Sequence, residues 1–170
     1  MHQIQASPKS NLRLCHFIRQ NLSSITEEWI DFARSIAPDL TYLQLRDHIH
    51  EILFFIADDI ECIQTPQQQI DKSHGKSIPR RDSVGSIHGV LRYDVGFNLV
   101  QMIMEYRALR ASIIKLWVKS QIVMLTSDLE DIVRFNESID QALADSVHFF
   151  MEKHPPRDGT VSHEAPNGNG

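Results

Sequence analysis

Apolar side chains recur along most of the chain at three- and four-residue intervals, the spacing that lines one face of an α-helix. The clearest stripe is Leu99, Met102, Ile103, Tyr106, Leu109, Arg110, Ile113, Leu116 and Trp117, which predicts a helix over about 98–122. A first helix is expected from about Lys9 to Leu22, with Leu12, Cys15, His16, Ile18 and Arg19 around it. The run Ser24-Ile25-Thr26-Glu27 has the form of a capping box and opens a second helix that carries Trp29, Ile30, Phe32, Ala33 and Ile36 and stops at Pro38. Thr41-Tyr42-Leu43-Gln44 is a second box. It starts a long third helix, to about Cys62, through Leu45, Ile49, Ile52, Phe55, Ile56 and Ile60. Asp82 or Ser83 caps a fourth, with Val84, Ile87, Leu91 and Val95 on its stripe and Gly96 at its end. A third box, Ser127-Asp128-Leu129-Glu130, begins a last helix reaching about Lys153, with Ile132, Val133, Asn136, Ile139, Leu143, Val147 and Phe150 on its apolar side.

Between these stripes the texture changes. Residues 64–82 hold two prolines, a glycine and no apolar periodicity, which predicts a loop with one short helical turn at Gln67 to Lys72. Gly85 and Gly89 lie four apart, so a second helix can approach that face closely. Residues 1–8 read as a loose arm, and 155–170, rich in proline, glycine and polar residues, as a disordered tail or linker. No strand pattern and no internal repeat is visible. The fold class that follows is all-α, a bundle of five or six helices over residues 9–154.

Composition narrows the function classes. A chain of 170 residues that is 42% hydrophobic can build one real core. A net charge of -5, with the only dense basic spot at Lys72 to Arg81, argues against a dedicated nucleic-acid binder. The longest apolar run, Ile52 to Ala57, falls far short of the ~20 residues that cross a bilayer. The N-terminus lacks a signal-peptide core. The expectation is a cytoplasmic protein that does not enter a membrane. Cys15 and Cys62 read as small buried thiols, with no CxxC and no zinc spacing.

The residues that could carry chemistry fall in one stretch. His88 and Arg92 are four apart beside one apolar stripe; Glu105, Tyr106, Arg107 and Arg110 sit in or beside the next. Charged groups near a core are costly unless paired, so these six form a candidate polar centre. Glu105 is expected to pair with an arginine. The other arginine either meets a ligand carboxylate or phosphate or belongs to a purely structural network, and Arg110 has the option of snorkelling to water. His48 and His50 are about 200° apart around a helix and make no metal site. There is no P-loop, GxSxG elbow or HExxH motif. No catalytic residue, metal or cofactor is therefore expected, and the chain reads as a non-enzyme. His88 as a haem ligand lacks any supporting pattern.

These motifs carry a family resemblance. His88-Gly89-x-x-Arg92, Gly96-x-x-Leu99, Glu105-Tyr106-Arg107-x-Leu109-Arg110 and Arg134-Phe135-Asn136-x-x-Ile139-Asp140, with the preceding KSHGKS, together resemble the RsbRD-type N-terminal sensory domain. That domain is found in bacterial sensor histidine kinases and stressosome RsbT co-antagonist proteins. The resemblance covers roughly Leu12 to Met151. It implies an all-helical input module that works as a homodimer and signals to an output domain or partner kinase in a two-component system. Related stressosome input domains resemble globins without haem. It brings no ligand with it, so a small ligand of unknown identity stays open. The rivals are a protein-binding scaffold domain with no small-molecule ligand and a haem-type gas or redox sensor.

Overall fold

Side-chain caps mark the starts of several helices. The computed structural model describes residues 11–46, 48–76 and 80–153, and every regular element among them is helical. In chain order they are α1 (Leu14–Gln20), α2 (Leu22–Ile36), α3 (Tyr42–Arg46), α4 (Ile49–Glu61), α5 (Pro66–Ser73), α6 (Val84–Asp94), α7 (Leu99–Ser120) and α8 (Thr126–Lys153). The Thr41–Gln44 box forms, with the Thr41 amide donating to Gln44 Oε1 at 2.9 Å. Ser83 rather than Asp82 caps α6. Thr65 and Gln68 close a box that turns the expected single turn into α5. Asn98 and Gln101 do the same at the start of α7. Gly96 takes a φ of +85°, which stops α6 without strain.

Several boundaries differ from the sequence expectation. The first helix runs only from Leu14 to Gln20. The last starts at Thr126, so the expected Ser127 box is interior helix, and Asp128 instead accepts from the Leu125 amide at 2.6 Å. Ser24 lies inside α2, which starts two residues earlier at Leu22. The anticipated Ser24 box is therefore interior helix. The long third helix is also two. It stops at Arg46 as α3 and resumes at Ile49 as α4. The segments thus number eight among the described residues, against the five or six expected, because this helix divides and the short α5 counts separately. The expected arm and tail lie outside the described residues.

The core is aliphatic and aromatic, with Leu14, Ile18, Ile25, Ile49, Ile52, Ile56, Trp117, Phe135 and Ile139 at or near zero exposure. α4 lies between α1 and α8, α2 packs on α7, and α6 lies along α8. The α6–α8 contact is the closest. A Cβ at Gly85 would collide with the Ala142 carbonyl oxygen, and one at Gly89 with the Ser146 backbone. Buried polar side chains tie helix ends to distant elements. Asp131 accepts from the Leu14 amide at 3.0 Å and from Arg13, while the Trp117 and Gln121 side chains both donate to the Leu12 carbonyl. Cys15 is buried as expected, but Cys62 is exposed, since it caps the C-terminus of α4 outside the core.

Candidate functional site

The division between α3 and α4 creates the centre of the molecule. In an unbroken helix the carbonyls of Gln44 and Leu45 would accept from the amides of His48 and Ile49. With α3 ending at Arg46, both are available to side chains from elsewhere. Arg92 of α6 takes both: Nη1 donates to the Gln44 carbonyl at 2.7 Å and Nη2 to the Leu45 carbonyl at 3.0 Å. Trp29 of α2 adds its indole N–H to the Leu45 carbonyl at 3.1 Å. A guanidinium suits this position because the end of a helix carries partial negative charge.

The third edge of Arg92 faces Glu105 of α7, with Nε donating to Oε2 at 2.9 Å. Both side chains are buried, at 1% and 0% exposure. A buried ion pair persists only when its remaining donors and acceptors are matched. The arginine side is matched by the two α3 carbonyls. On the carboxylate, Oε2 also lies 3.6 Å from His88 Nε2. Oε1 has no hydrogen-bond partner among the described residues.

Aromatic rings close the site. His88 is wholly buried. Its ring packs 5.6 Å from Trp29 and 5.5 Å, edge-on, from Tyr106, and Trp29 meets Tyr106 at 6.5 Å. The Arg92 guanidinium lies 4.8 Å from the Phe97 ring centre, which favours the cation. Tyr106 carries the network to α8, its hydroxyl 2.8 Å from Ser146 Oγ. Ser146 in turn donates to the Gly85 carbonyl of α6 at 2.6 Å. One continuous polar and aromatic cluster thus touches α2, α3, α6, α7 and α8.

Of the six residues expected to converge, four do: His88, Arg92, Glu105 and Tyr106. Glu105 pairs with an arginine as expected, and that arginine is Arg92. Arg107 and Arg110 stand apart. Arg107 is exposed. The Arg110 side chain is one-third exposed and forms an ion pair with Asp140 on the outer side of α7 and α8. The reason is angular. Position 110 falls at the edge of the stripe, and the long side chain carries its charge past that edge. Sequence reasoning missed Trp29, Ser146 and the two α3 carbonyls. Trp29 had a signal, an indole N–H that needs an acceptor when buried; backbone carbonyls leave none.

The surface around Arg107 and Arg110 is an open depression of about 660 Å³, lined also by Ile114, Lys115 and Val118. It combines basic heads with apolar side chains. A second, more polar depression of about 430 Å³ lies near Asp59, Cys62, Gln68 and Lys72.

No family model matches the chain, and neither does any curated protein or any solved structure. No described helix is long and apolar enough to cross a membrane.

Proposed function

We propose that the chain is a cytoplasmic signal-input domain of a bacterial signalling protein, of the histidine-kinase type. It would relay ligand or partner binding through helix repacking in a homodimer. The observation that carries this reading is the Arg92 junction. One buried guanidinium joins the end of α3 to α7, and α6, which bears it, is seated by two glycines on the 28-residue α8. A change in the Arg92–Glu105 pair therefore has a short mechanical path to the longest helix. Packed interfaces with few alternative arrangements convert such changes into discrete shifts. The resemblance of the His88–Arg92 and Glu105–Arg110 motifs to the RsbRD-type sensory domain points the same way.

The dimer would form through the outer face of α7. Val100, Met104, Ala111, Ile114 and Val118 follow a seam of three, four and seven residues along it, and Val100, Met104 and Val118 are 65%, 38% and 45% exposed. An apolar row of this kind is the usual sign of a missing partner helix. Light scattering coupled to size exclusion tests the assembly: the wild type is expected at twice the monomer mass, and Met104→Glu with Val118→Glu at the monomer mass. A thermal-shift screen with small carboxylates and phosphates tests ligand input through Arg107 and Arg110. A monomeric wild type whose melting temperature responds to none of these compounds would overturn the reading.

The same exposed face also favours the scaffold reading, in which another protein covers it. A partner that raises the melting temperature of a monomeric chain would decide for that. The haem reading gains no support from His88, whose surroundings are filled by Trp29, Tyr106 and Glu105. A visible spectrum of protein from a haem-replete host checks it, and a colourless folded product is expected.

A further inference from the structure

We propose that Cys15, His16 and Glu61 bind one thiophilic divalent metal ion, of the zinc class, that clamps α1 to the C-terminal end of α4. One ligand atom from each of the three lies within 4.8 Å of the other two. Tetrahedral zinc, with bonds of about 2.3 Å to sulfur and 2.0–2.1 Å to nitrogen or oxygen, places its ligands roughly 3.4–3.6 Å apart. Closing the remaining gap needs about 1 Å of movement. His16 and Glu61 are both exposed and have that freedom, while Cys15 is buried and fixed. The set also comes from two helices that already pack side by side.

Donor chemistry selects the ion. Thiolate, imidazole and carboxylate together suit zinc and its analogue cobalt(II), whereas magnesium and calcium take oxygen ligands alone. Glu61 Oε2 at present accepts from Arg19 Nη2 at 2.7 Å. Arg19 also holds Asp58 at 2.6 Å, so its charge stays paired when Glu61 turns to the ion. A fourth ligand would be water. Binding forms a sulfur–metal bond and releases the thiol proton to solvent.

The test uses reduced, chelator-treated full-length protein titrated with cobalt(II) alone, then with zinc. The expected result is one equivalent bound, with thiolate-to-cobalt charge transfer and the visible bands of a tetrahedral ion, bleached by zinc. Cys62→Ser should behave like wild type, which separates the site from the exposed thiol one residue beyond Glu61. His16→Ala and Glu61→Gln, both surface changes, should each weaken binding tenfold or more, and Cys15→Ser should abolish the charge-transfer band. Zinc should raise the melting temperature of wild type and Cys62→Ser but not of His16→Ala. Should Cys15→Ser fail to fold, the two surface variants decide. Absence of the band in folded wild type, its loss in Cys62→Ser, or unchanged affinity in both surface variants would overturn the proposal.

Discussion

At the scale of single residues, Arg92 and Arg110 show how little a charge's chemical type says about its energetic weight. Arg92 is enclosed, with a carboxylate on one edge and two carbonyls on the others. Removing one member of such a pair leaves an uncompensated charge inside, which typically costs about 3–5 kcal/mol. Arg92→Ala and Glu105→Ala are each expected to lose that much in urea unfolding. Arg92→Met combined with Glu105→Leu should lose much less than the sum, since neither variant side chain is charged. Arg110 offers the contrast. Its ion pair with Asp140 is reached by solvent, so Arg110→Ala should shift stability by no more than about 1 kcal/mol. A larger drop would mean that its buried Nε has a structural role. Trp29→Phe keeps the ring contacts with His88 and Tyr106 and loses the indole donor. Because Arg92 still serves the Leu45 carbonyl, a cost of about 1 kcal/mol is expected.

At the scale of elements, two features govern the arrangement: the division of the third helix and the seating of α6 on α8. The division exposes carbonyls that only a side chain from another helix satisfies, so α3 is held in place from outside. Loss of Arg92 should free α3 before the rest unfolds, visible as faster amide exchange confined to residues 42–46. The seating of α6 depends on two missing side chains. Gly89→Ala puts a methyl group into the Ser146 backbone. It is expected to destabilise at or above the upper end of the about 1–3 kcal/mol usual for overpacking, because a backbone cannot rotate away as a side chain can. Gly75→Ala is the control. Nothing lies near its Cβ, and the only penalty is the φ of +63°, worth about 1–2 kcal/mol.

At the scale of the whole molecule, what the chain leaves uncovered matters as much as what it buries. The core and the Arg92 cluster lie inside the bundle. The outer side of α7, by contrast, keeps an apolar row among Arg107, Arg110, Lys115 and Lys119, and the segment Ile122 to Leu125 after it carries four more exposed apolar side chains. Assembly should therefore be driven by that face. Dimer mass is expected to persist in Arg92→Met/Glu105→Leu, which perturbs the interior, and to disappear in Met104→Glu/Val118→Glu, which leaves the interior intact. The opposite pattern would place the contact elsewhere.

The sequence by itself determined the helical class, the positions of α2, α6, α7 and α8 to within a few residues, and the close approach permitted by Gly85 and Gly89. All of these follow from local rules: periodicity, capping chemistry and the absence of a side chain. It also marked His88, Arg92, Glu105 and Tyr106 as charges and polar groups too near a stripe to be ignored. Only the tertiary structure decided which arginine Glu105 would meet. Positions 92, 107 and 110 are similar in sequence, and the choice rests on how α6 turns against α7. The interruption after Arg46 was equally unreadable, because the groups that stabilise it, Trp29 and Arg92, lie 16 and 47 residues from Leu45. The grouping of Cys15 and His16 with Glu61 is of the same kind. Local interactions are encoded within a few residues of where they act, whereas a partner brought across the fold leaves no trace in the spacing of either residue.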